Sequence, residues 1–200
     1  MCDLNHNMKL IDTIQDSERH LIKRRIYHKG DFIARENDRC EGIFIINKGK
    51  VKISSYSLGG KEIIYNTLSQ DDVFGNNLVF SSSPYYRGNV IAESEVSLSY
   101  IYNKDIEHLF QSNLEFVRCY LRIQSDFGKT LNAKLKLLSF PLAEERIFFL
   151  LESSNGEIEY HTMTDLASLL FLTREVTSRT VHRLAKDNKI ILSKHKISLA

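Results

Sequence analysis

The sequence predicts an α+β protein in which an N-terminal all-β unit precedes one long helix and a smaller C-terminal unit of helices with a terminal hairpin. Three observations predict this class. Apolar residues alternate with a period of two in short runs between about 26 and 101, a pattern typical of strands. From about 106 to 138 the period lengthens to near 3.6, which indicates a helix. Pro141 closes the helical pattern, because a proline disfavours helix at the residue before it.

Tight turns divide the all-β unit into strands. The apolar run 43–46 is followed by the turn 47–49, whose asparagine and glycine tolerate the positive φ of a hairpin. An alternating strand over 51–56 leads to a second glycine turn at 59–60, and another alternating strand over 96–101 ends the unit. With 200 residues, 42% of them hydrophobic, the chain can bury a sizeable core.

The long helix carries two apolar faces. One is a heptad series of the kind that pairs helices: Phe110, Leu114, Val117, Leu121, Gln124, Gly128, Leu131, Leu135 and Leu138. The other comprises Phe116, Tyr120, Ile123 and Phe127. A helix of this kind can bury one face against its own β unit and the other against a symmetry mate, so we expect a C2 homodimer through the heptad series. A single buried helix in a monomer is the alternative. Gly128 costs about 1 kcal/mol relative to alanine, which indicates close helix approach or a nearby ligand.

The proline marks a boundary within the chain. We expect three parts: a β unit over 1–105, a dimerisation helix over 106–139 and a C-terminal unit over 140–200. Within the last part, the pattern predicts a helix over 143–153 and a turn at 155–156.

The segment 164–200 is typical of a helix, a short turn, a second helix and a small hairpin. Thr164 and Thr173 are of the residue type that caps helices and are expected to begin the two helices. The side of the second helix that faces the core is predicted to comprise Val176, Thr180, Val181 and Leu184.

The other side of the second helix presents Arg174, Glu175, Ser178 and Arg179 on its first two turns. Arginine pairs with guanine, glutamate accepts a hydrogen bond from cytosine, and serine bonds a base or a phosphate. These residues predict a recognition helix for the major groove of double-stranded DNA. A solvated charged face is the alternative. The tip of the hairpin carries Lys194 and Lys196, which are expected to contact phosphate.

Charge and composition restrict the function classes. The residues from Thr173 onward hold seven Lys or Arg against two Asp or Glu, which makes this tail +5 and the rest of the chain −3. Three widely spaced cysteines indicate reduced thiols, and no signal peptide or long apolar segment is found, so a cytoplasmic protein without membrane contact is expected. No glycine-rich phosphate loop, paired metal ligands or nucleophile motif occurs. We therefore expect no enzyme, no catalytic residue and no metal site.

These motifs resemble the Crp-Fnr family, the relatives of the cyclic-AMP receptor protein and the fumarate-nitrate regulator, over essentially the whole chain. Leu166 and Ala167, Leu170, the stretch 173–175 and the pair 178–179 match the helix-turn-helix signature of the family in order and spacing. The resemblance implies a cyclic-nucleotide-binding-like β-roll, a long dimerisation helix and a C-terminal winged helix-turn-helix. It also implies base contacts from Glu175, Ser178 and Arg179, a further DNA contact from Arg174, and a palindromic operator.

The sequence departs from the family at the turn and at the effector site. Phe171 stands where the family usually has glycine in the turn between the two helices. The resemblance places an effector site at Gly75, Asn76, Arg87, Gly88, Leu131 and Asn132. Cyclic-AMP binders have a glutamate where this chain has Asn76, and a hydroxyl pair where it has Leu131 and Asn132. Arg87 matches the phosphate-binding arginine only with one inserted residue. Cyclic AMP is therefore not the expected effector.

The sequence lacks the ligand residues that other effectors of the family require. An iron-sulfur cluster needs four ligands, and only Cys2 lies in the N-terminal arm. Haem is also not expected, because no motif surrounds the candidate axial ligands: His6, Met8, His20, His28 and His108. The effector remains unknown. RNA polymerase is a further partner if the protein activates transcription. The alternative function is a cyclic-nucleotide or metabolite-binding regulatory module that acts on a protein partner.

Overall fold

The computed structural model describes residues 9–200, and the chain divides between Ser125 and Asp126 into two compact units. Cys2, His6 and Met8 lie outside the described residues. The elements of the first unit are β1 (Lys23–Tyr27), β2 (Phe32–Ala34), β3 (Gly42–Lys48), β4 (Val51–Tyr56), β5 (Glu62–Leu68), β6 (Val73–Phe74), β7 (Asn89–Ala92), β8 (Val96–Tyr102), α1 (Asn103–Ser112) and the first half of α2 (Leu114–Ser139). Two short 3-10 helices, Leu10–Thr13 and Asp16–Leu21, precede β1.

Two antiparallel four-stranded sheets form the β unit, one in the order β1-β8-β3-β6 and the other in the order β2-β7-β4-β5. A single buried core takes side chains from both sheets, among them Ile43, Val51, Val90 and Leu98. The predicted hairpin at 59–60 is confirmed, because β4 pairs with β5 and Gly60 has a positive φ. The hairpin predicted at 47–49 is wrong: Gly49 has a positive φ in a turn, but β3 and β4 belong to different sheets, so this turn carries the chain from one sheet to the other. Burial of this apolar core is the main source of stability of the unit.

The prediction of one continuous helix from 106 to 138 is wrong, because Asn113 separates α1 from α2. Its backbone is extended, and its side-chain Oδ1 accepts from the Phe116 N–H at 2.9 Å, which caps the start of α2. Its Nδ2 donates to the Thr13 carbonyl and to the Glu18 carboxylate, at 2.8 and 2.7 Å. The long helix therefore begins at Leu114. Phe110, predicted in the heptad series of that helix, lies on α1 and packs against the core of the β unit.

The two predicted faces of α2 differ in burial. Phe116 and Tyr120 are buried in the core of the β unit. Five leucines of the heptad series are between 44% and 61% exposed: Leu114, Leu121, Leu131, Leu135 and Leu138. Nothing within 4 Å would meet a Cβ at Gly128. Within one chain, the heptad face of α2 thus remains largely uncovered.

The second unit contains the end of α2 and a small domain. Its elements are α3 (Ala143–Ser153), β9 (Glu157–Glu159), α4 (Met163–Leu170), α5 (Arg174–Lys186), β10 (Ile190–Ser193) and β11 (Lys196–Leu199). The strands form an antiparallel sheet in the order β10-β11-β9, and a core that includes Ile147, Leu166 and Val181 joins the helices to it. The predicted helix 143–153 and the turn 155–156 are confirmed. None of the helices in residues 9–200 is long and apolar enough to span a bilayer.

Candidate nucleic-acid interface

Thr173 caps α5, as predicted: its Oγ1 accepts from the Val176 N–H at 3.3 Å. The cap of the preceding helix was predicted at the wrong threonine. Thr162, not Thr164, precedes α4, and its hydroxyl accepts from the Asp165 N–H while the Asp165 carboxylate accepts from the Thr162 N–H. This reciprocal capping box satisfies two amide groups at the start of the helix.

The turn between α4 and α5 depends on Phe171. This residue ends α4 in the left-handed conformation, with φ 52° and ψ 45°. A residue with a Cβ carries a cost of roughly 1–2 kcal/mol there. The Phe171 N–H bonds back to Ser168, and the Leu172 N–H bonds back to Ala167. Phe171 therefore adopts the left-handed conformation in place of the glycine that is usual in the family, and the sharp turn between the helices keeps its backbone hydrogen bonds.

The α5 helix has a buried side and an exposed side. The buried residues are Thr177, Thr180, Val181 and Leu184. Val176, predicted among them, is half-buried, and Thr177 is buried instead, with its hydroxyl donating to the Thr173 carbonyl. The exposed side carries Arg174, Glu175 and Arg179, with Ser178 half-buried between them. At 100° per residue these four positions span an arc of about 140°, so they share one face of the helix.

We define this set as the reading edge: Arg174, Glu175, Ser178 and Arg179. The pKa of the Glu175 carboxyl lies below its ordinary value, first because the carboxylate accepts from the Glu175 backbone N–H and second because it bonds the Thr173 hydroxyl. The negative charge is placed at the positive end of the helix dipole. The reading edge therefore offers one carboxylate acceptor beside two arginine donors.

The cations of the C-terminal tail fall into two groups. Arg183 and Lys189 both bond the carboxylate of Glu144 on α3, at 2.8 and 2.7 Å. Lys196, predicted as a phosphate contact, is half-buried and paired with the Glu157 carboxylate of the adjacent strand. Among residues 9–200, no ion pair is found for four cations of the tail: Arg174, Arg179, Lys186 and Lys194. The unpaired positive charge of the tail thus lies on the reading edge, at the end of α5 and at the tip of the β10–β11 hairpin.

Asn76, one of the predicted effector residues, already has hydrogen-bond partners within the first unit. Asn76 is buried, and its amide donates to Gln124 Oε1. Its backbone carbonyl accepts from Gln124 Nε2 at 3.0 Å and from the Tyr120 hydroxyl at 2.7 Å. Gln124, predicted for the dimer series, is thus bonded within its own chain.

The remaining effector positions differ in environment. Gly75 has a φ of +83°, and a Cβ there would lie 2.7 Å from the Gly42 carbonyl oxygen. Gly88 is buried against the Ser54 carbonyl. Arg87 is exposed and donates to Ser83 Oγ at 3.2 Å. Leu131 and Asn132 are exposed on the half of α2 that belongs to the second unit.

Candidate metal and redox groups have no common site in the described part of the chain. Residues 9–200 contain no group of His, Cys, Asp and Glu that could hold a metal ion. The candidate haem ligands of this part are exposed: His20, His28 and His108. Burial raises the pKa of both the Cys40 and the Cys119 thiol, so neither has the lowered pKa of a reactive cysteine.

Comparison with known proteins identifies similar chains. A family model for the cyclic nucleotide-binding domain matches residues 24–113. The cyclic AMP receptor protein of Thermus thermophilus is 24% identical over 175 residues, which are 86% of this chain and 81% of that protein. The crystal structure of the Thermus thermophilus catabolite activator protein matches over 96% of this chain and 93% of its own, with 23% identity and a TM-score of 0.55. A CooA mutant from Carboxydothermus hydrogenoformans matches over 96% and 92%, with 16% identity and a TM-score of 0.71.

Proposed function

We propose that this chain, which is similar to the cyclic nucleotide-binding domain and to a cyclic AMP receptor protein, is a DNA-binding transcription regulator of the Crp-Fnr type whose homodimer reads a palindromic operator through the reading edge of α5. The reading edge itself is the observation that carries the proposal. Its carboxylate and two guanidinium groups are exposed on one face of a capped helix. Three other cations of the tail are paired with acids of the unit: Arg183 and Lys189 with Glu144, and Lys196 with Glu157.

The chemistry of the reading edge suits direct readout of bases. Arg174 and Arg179 can donate to guanine O6 and N7, and the Glu175 carboxylate can accept from cytosine N4. Ser178 can bond a base or a phosphate. Lys194 at the hairpin tip is positioned as a phosphate contact, whereas Lys196 contributes to the sheet through Glu157. We assign no catalytic residue to the chain.

The dimer is proposed to form along the heptad face of α2. The exposed leucines of this face are the largest apolar surface of the helix, and a second copy of the same helix would cover them symmetrically. Val117 and Gly128 belong to the same series, while Phe110 and Gln124 already have contacts in their own chain. Two reading helices in successive major grooves then place the half-site centres about 34–36 Å apart.

The effector is proposed to be a molecule other than cyclic AMP, because the residues at the family position do not fit a cyclic nucleotide. The charged carboxylate that cyclic-AMP binders have for the ribose hydroxyl is replaced here by the neutral Asn76 amide, which is buried and whose nitrogen already donates to Gln124. Arg87 is exposed and bonded to Ser83. No step of the proposed function is therefore assigned to a nucleotide, and neither an iron-sulfur cluster nor haem is proposed. RNA polymerase remains a candidate partner, and the cytoplasm is the proposed location.

Selection of operators from a random DNA pool with the purified protein tests this proposal. Fluorescence anisotropy at fixed salt then compares Glu175→Ala and Arg179→Ala with Lys29→Ala, which removes a charge from a turn of the β unit. Each reading-edge variant should lose about 5- to 150-fold in affinity at the base that it reads, which corresponds to about 1–3 kcal/mol. The Lys29 variant should retain wild-type affinity.

Two outcomes would contradict the proposal. Equal losses on every DNA sequence would make Glu175 and Arg179 phosphate contacts instead of base readers. No selected sequence and no salt-dependent binding to any DNA would favour the alternative function, a regulatory module that acts on a protein partner.

A further inference from the structure

Arg146, on the first turn of α3, donates hydrogen bonds to backbone carbonyls at two distant points of the second unit. Its Nη1 bonds the carbonyls of Leu170 and Phe171, at 3.2 and 3.1 Å. Its Nε bonds the Phe140 carbonyl at 3.0 Å, and its Nη2 lies 3.5 Å from the Leu138 carbonyl oxygen. We call this arrangement the carbonyl clamp. It connects the end of α2 with the end of α4 through a single guanidinium.

The carbonyls that Arg146 bonds lie at or just after the ends of helices, where the helix itself supplies no hydrogen-bond donor. The last carbonyls of a helix have no partner within it, and both α2 and α4 end at the clamp. The Phe140 carbonyl precedes Pro141, and Phe171 holds the left-handed turn. A guanidinium presents five donors in a rigid planar fork, so its contacts fix direction as well as distance. A lysine ammonium could reach only part of this set.

The clamp lies directly before the reading helix. Only Leu172 separates Phe171 from Thr173, which caps α5. At the other end, the Phe140 ring packs on the Phe149 ring with centroids 5.4 Å apart, so the chain after α2 is also held against α3 by side-chain contact. The position at which α5 begins is therefore tied to the position at which α2 ends.

We infer that Arg146 is a positioning residue for DNA recognition: it fixes the start of the reading helix relative to the dimerisation helix and so sets the operator spacing that the dimer accepts. This inference rests on the proposed function. The clamp touches no DNA. It acts through the turn at Phe171, and its effect appears only when two reading helices of one dimer must engage two half-sites together.

The experiment compares Arg146→Ala and Arg146→Lys with Ile147→Val, a mild destabilising change at a fully buried neighbour that leaves the clamp intact. Each protein is titrated against the selected operator, a single half-site, and operators with the spacing changed by one base pair. We expect Arg146→Ala to lose about tenfold or more on the full operator and to stay within about twofold on the half-site, because only bivalent engagement depends on spacing. Its discrimination between spacings should fall, and Arg146→Lys should be intermediate.

The outcomes separate the inference from the proposed function. If Arg146→Ala behaves like Ile147→Val, with a lower melting temperature but wild-type spacing discrimination, Arg146 only stabilises the unit and the inference is wrong. If Arg146→Ala does not fold, the lysine variant decides by the same criterion, since it keeps the charge and part of the clamp. A wild-type protein without any operator preference would instead overturn the proposed function, and this inference with it.

Discussion

Truncation of two exposed leucines on α2 gives a direct measure of the proposed dimer interface. Leu121 and Leu135 are each 58% exposed in the single chain. Leu→Ala removes about three carbon groups, each worth about 0.8 kcal/mol when buried, so the exposed fraction contributes about 1.4 kcal/mol per side chain. A C2 interface contains each position twice, so the double variant should lose about 5–6 kcal/mol of dimerisation free energy. The dimer dissociation constant should then rise by roughly 10⁴-fold.

Sedimentation equilibrium over a range of protein concentrations measures this constant for the wild type and for Leu121→Ala/Leu135→Ala. Leu169→Ala is the matched control, because Leu169 is 49% exposed on α4, outside the heptad face. Circular dichroism should show unchanged helix content in all variants, since these side chains contribute little to the buried cores. A double variant that dimerises within about tenfold of the wild type would refute the heptad interface.

Three further predictions follow from the contacts of single residues. Thr173→Ala should destabilise the second unit by about 1 kcal/mol through loss of the cap, with Thr173→Ser retaining it; equal melting temperatures by circular dichroism would show that the cap contributes nothing. Hydrogen bonding from Lys189 holds the pKa of Glu144 below its ordinary value, so its stabilisation is present above the unfolded-state pKa and is lost as the pH falls through the folded-state pKa. The free energy of unfolding, measured with urea at several acidic pH values, should fall as the pH is lowered, and Glu144→Gln should make this fall less steep. An equally steep fall in the variant would contradict this. Calorimetric titration with cyclic AMP should give no saturable heat because the Asn76 amide is already bonded, and saturable binding that Arg87→Ala abolishes would overturn the assignment.

Local signals predicted most of the fold. The turns at Gly49 and Gly60 and the helix after Pro141 follow from residue types that act within a few positions. The cap of α4 is also predictable from the sequence, because Asp165 follows Thr162 by three positions, as a capping box requires. The start of the helix was placed two residues late when only the type of Thr164 was considered.

Long-range contacts account for what the sequence did not predict. Asn113 ends one helix and caps the next with partners at Thr13 and Glu18, almost a hundred positions away. No local period indicates such a break within an otherwise helical pattern. The same holds for Arg146, whose partners lie on both sides of it in sequence and are backbone carbonyls that carry no residue signature. The reading edge was predicted because its residues lie within two turns of one helix.

The bond between Asn76 and Gln124 also limits how this chain could change during evolution. A glutamate at position 76 would lose the amide donor to Gln124 Oε1 and would place a carboxylate at a buried position. Gln124 could compensate only by rotating its side-chain amide, which would remove the hydrogen bond from its Nε2 to the backbone carbonyl of residue 76. Introduction of a glutamate at position 76 therefore requires changes at both positions. A lineage that took either step alone would first pass through a less stable protein, which makes this pair of residues difficult to change by single substitutions.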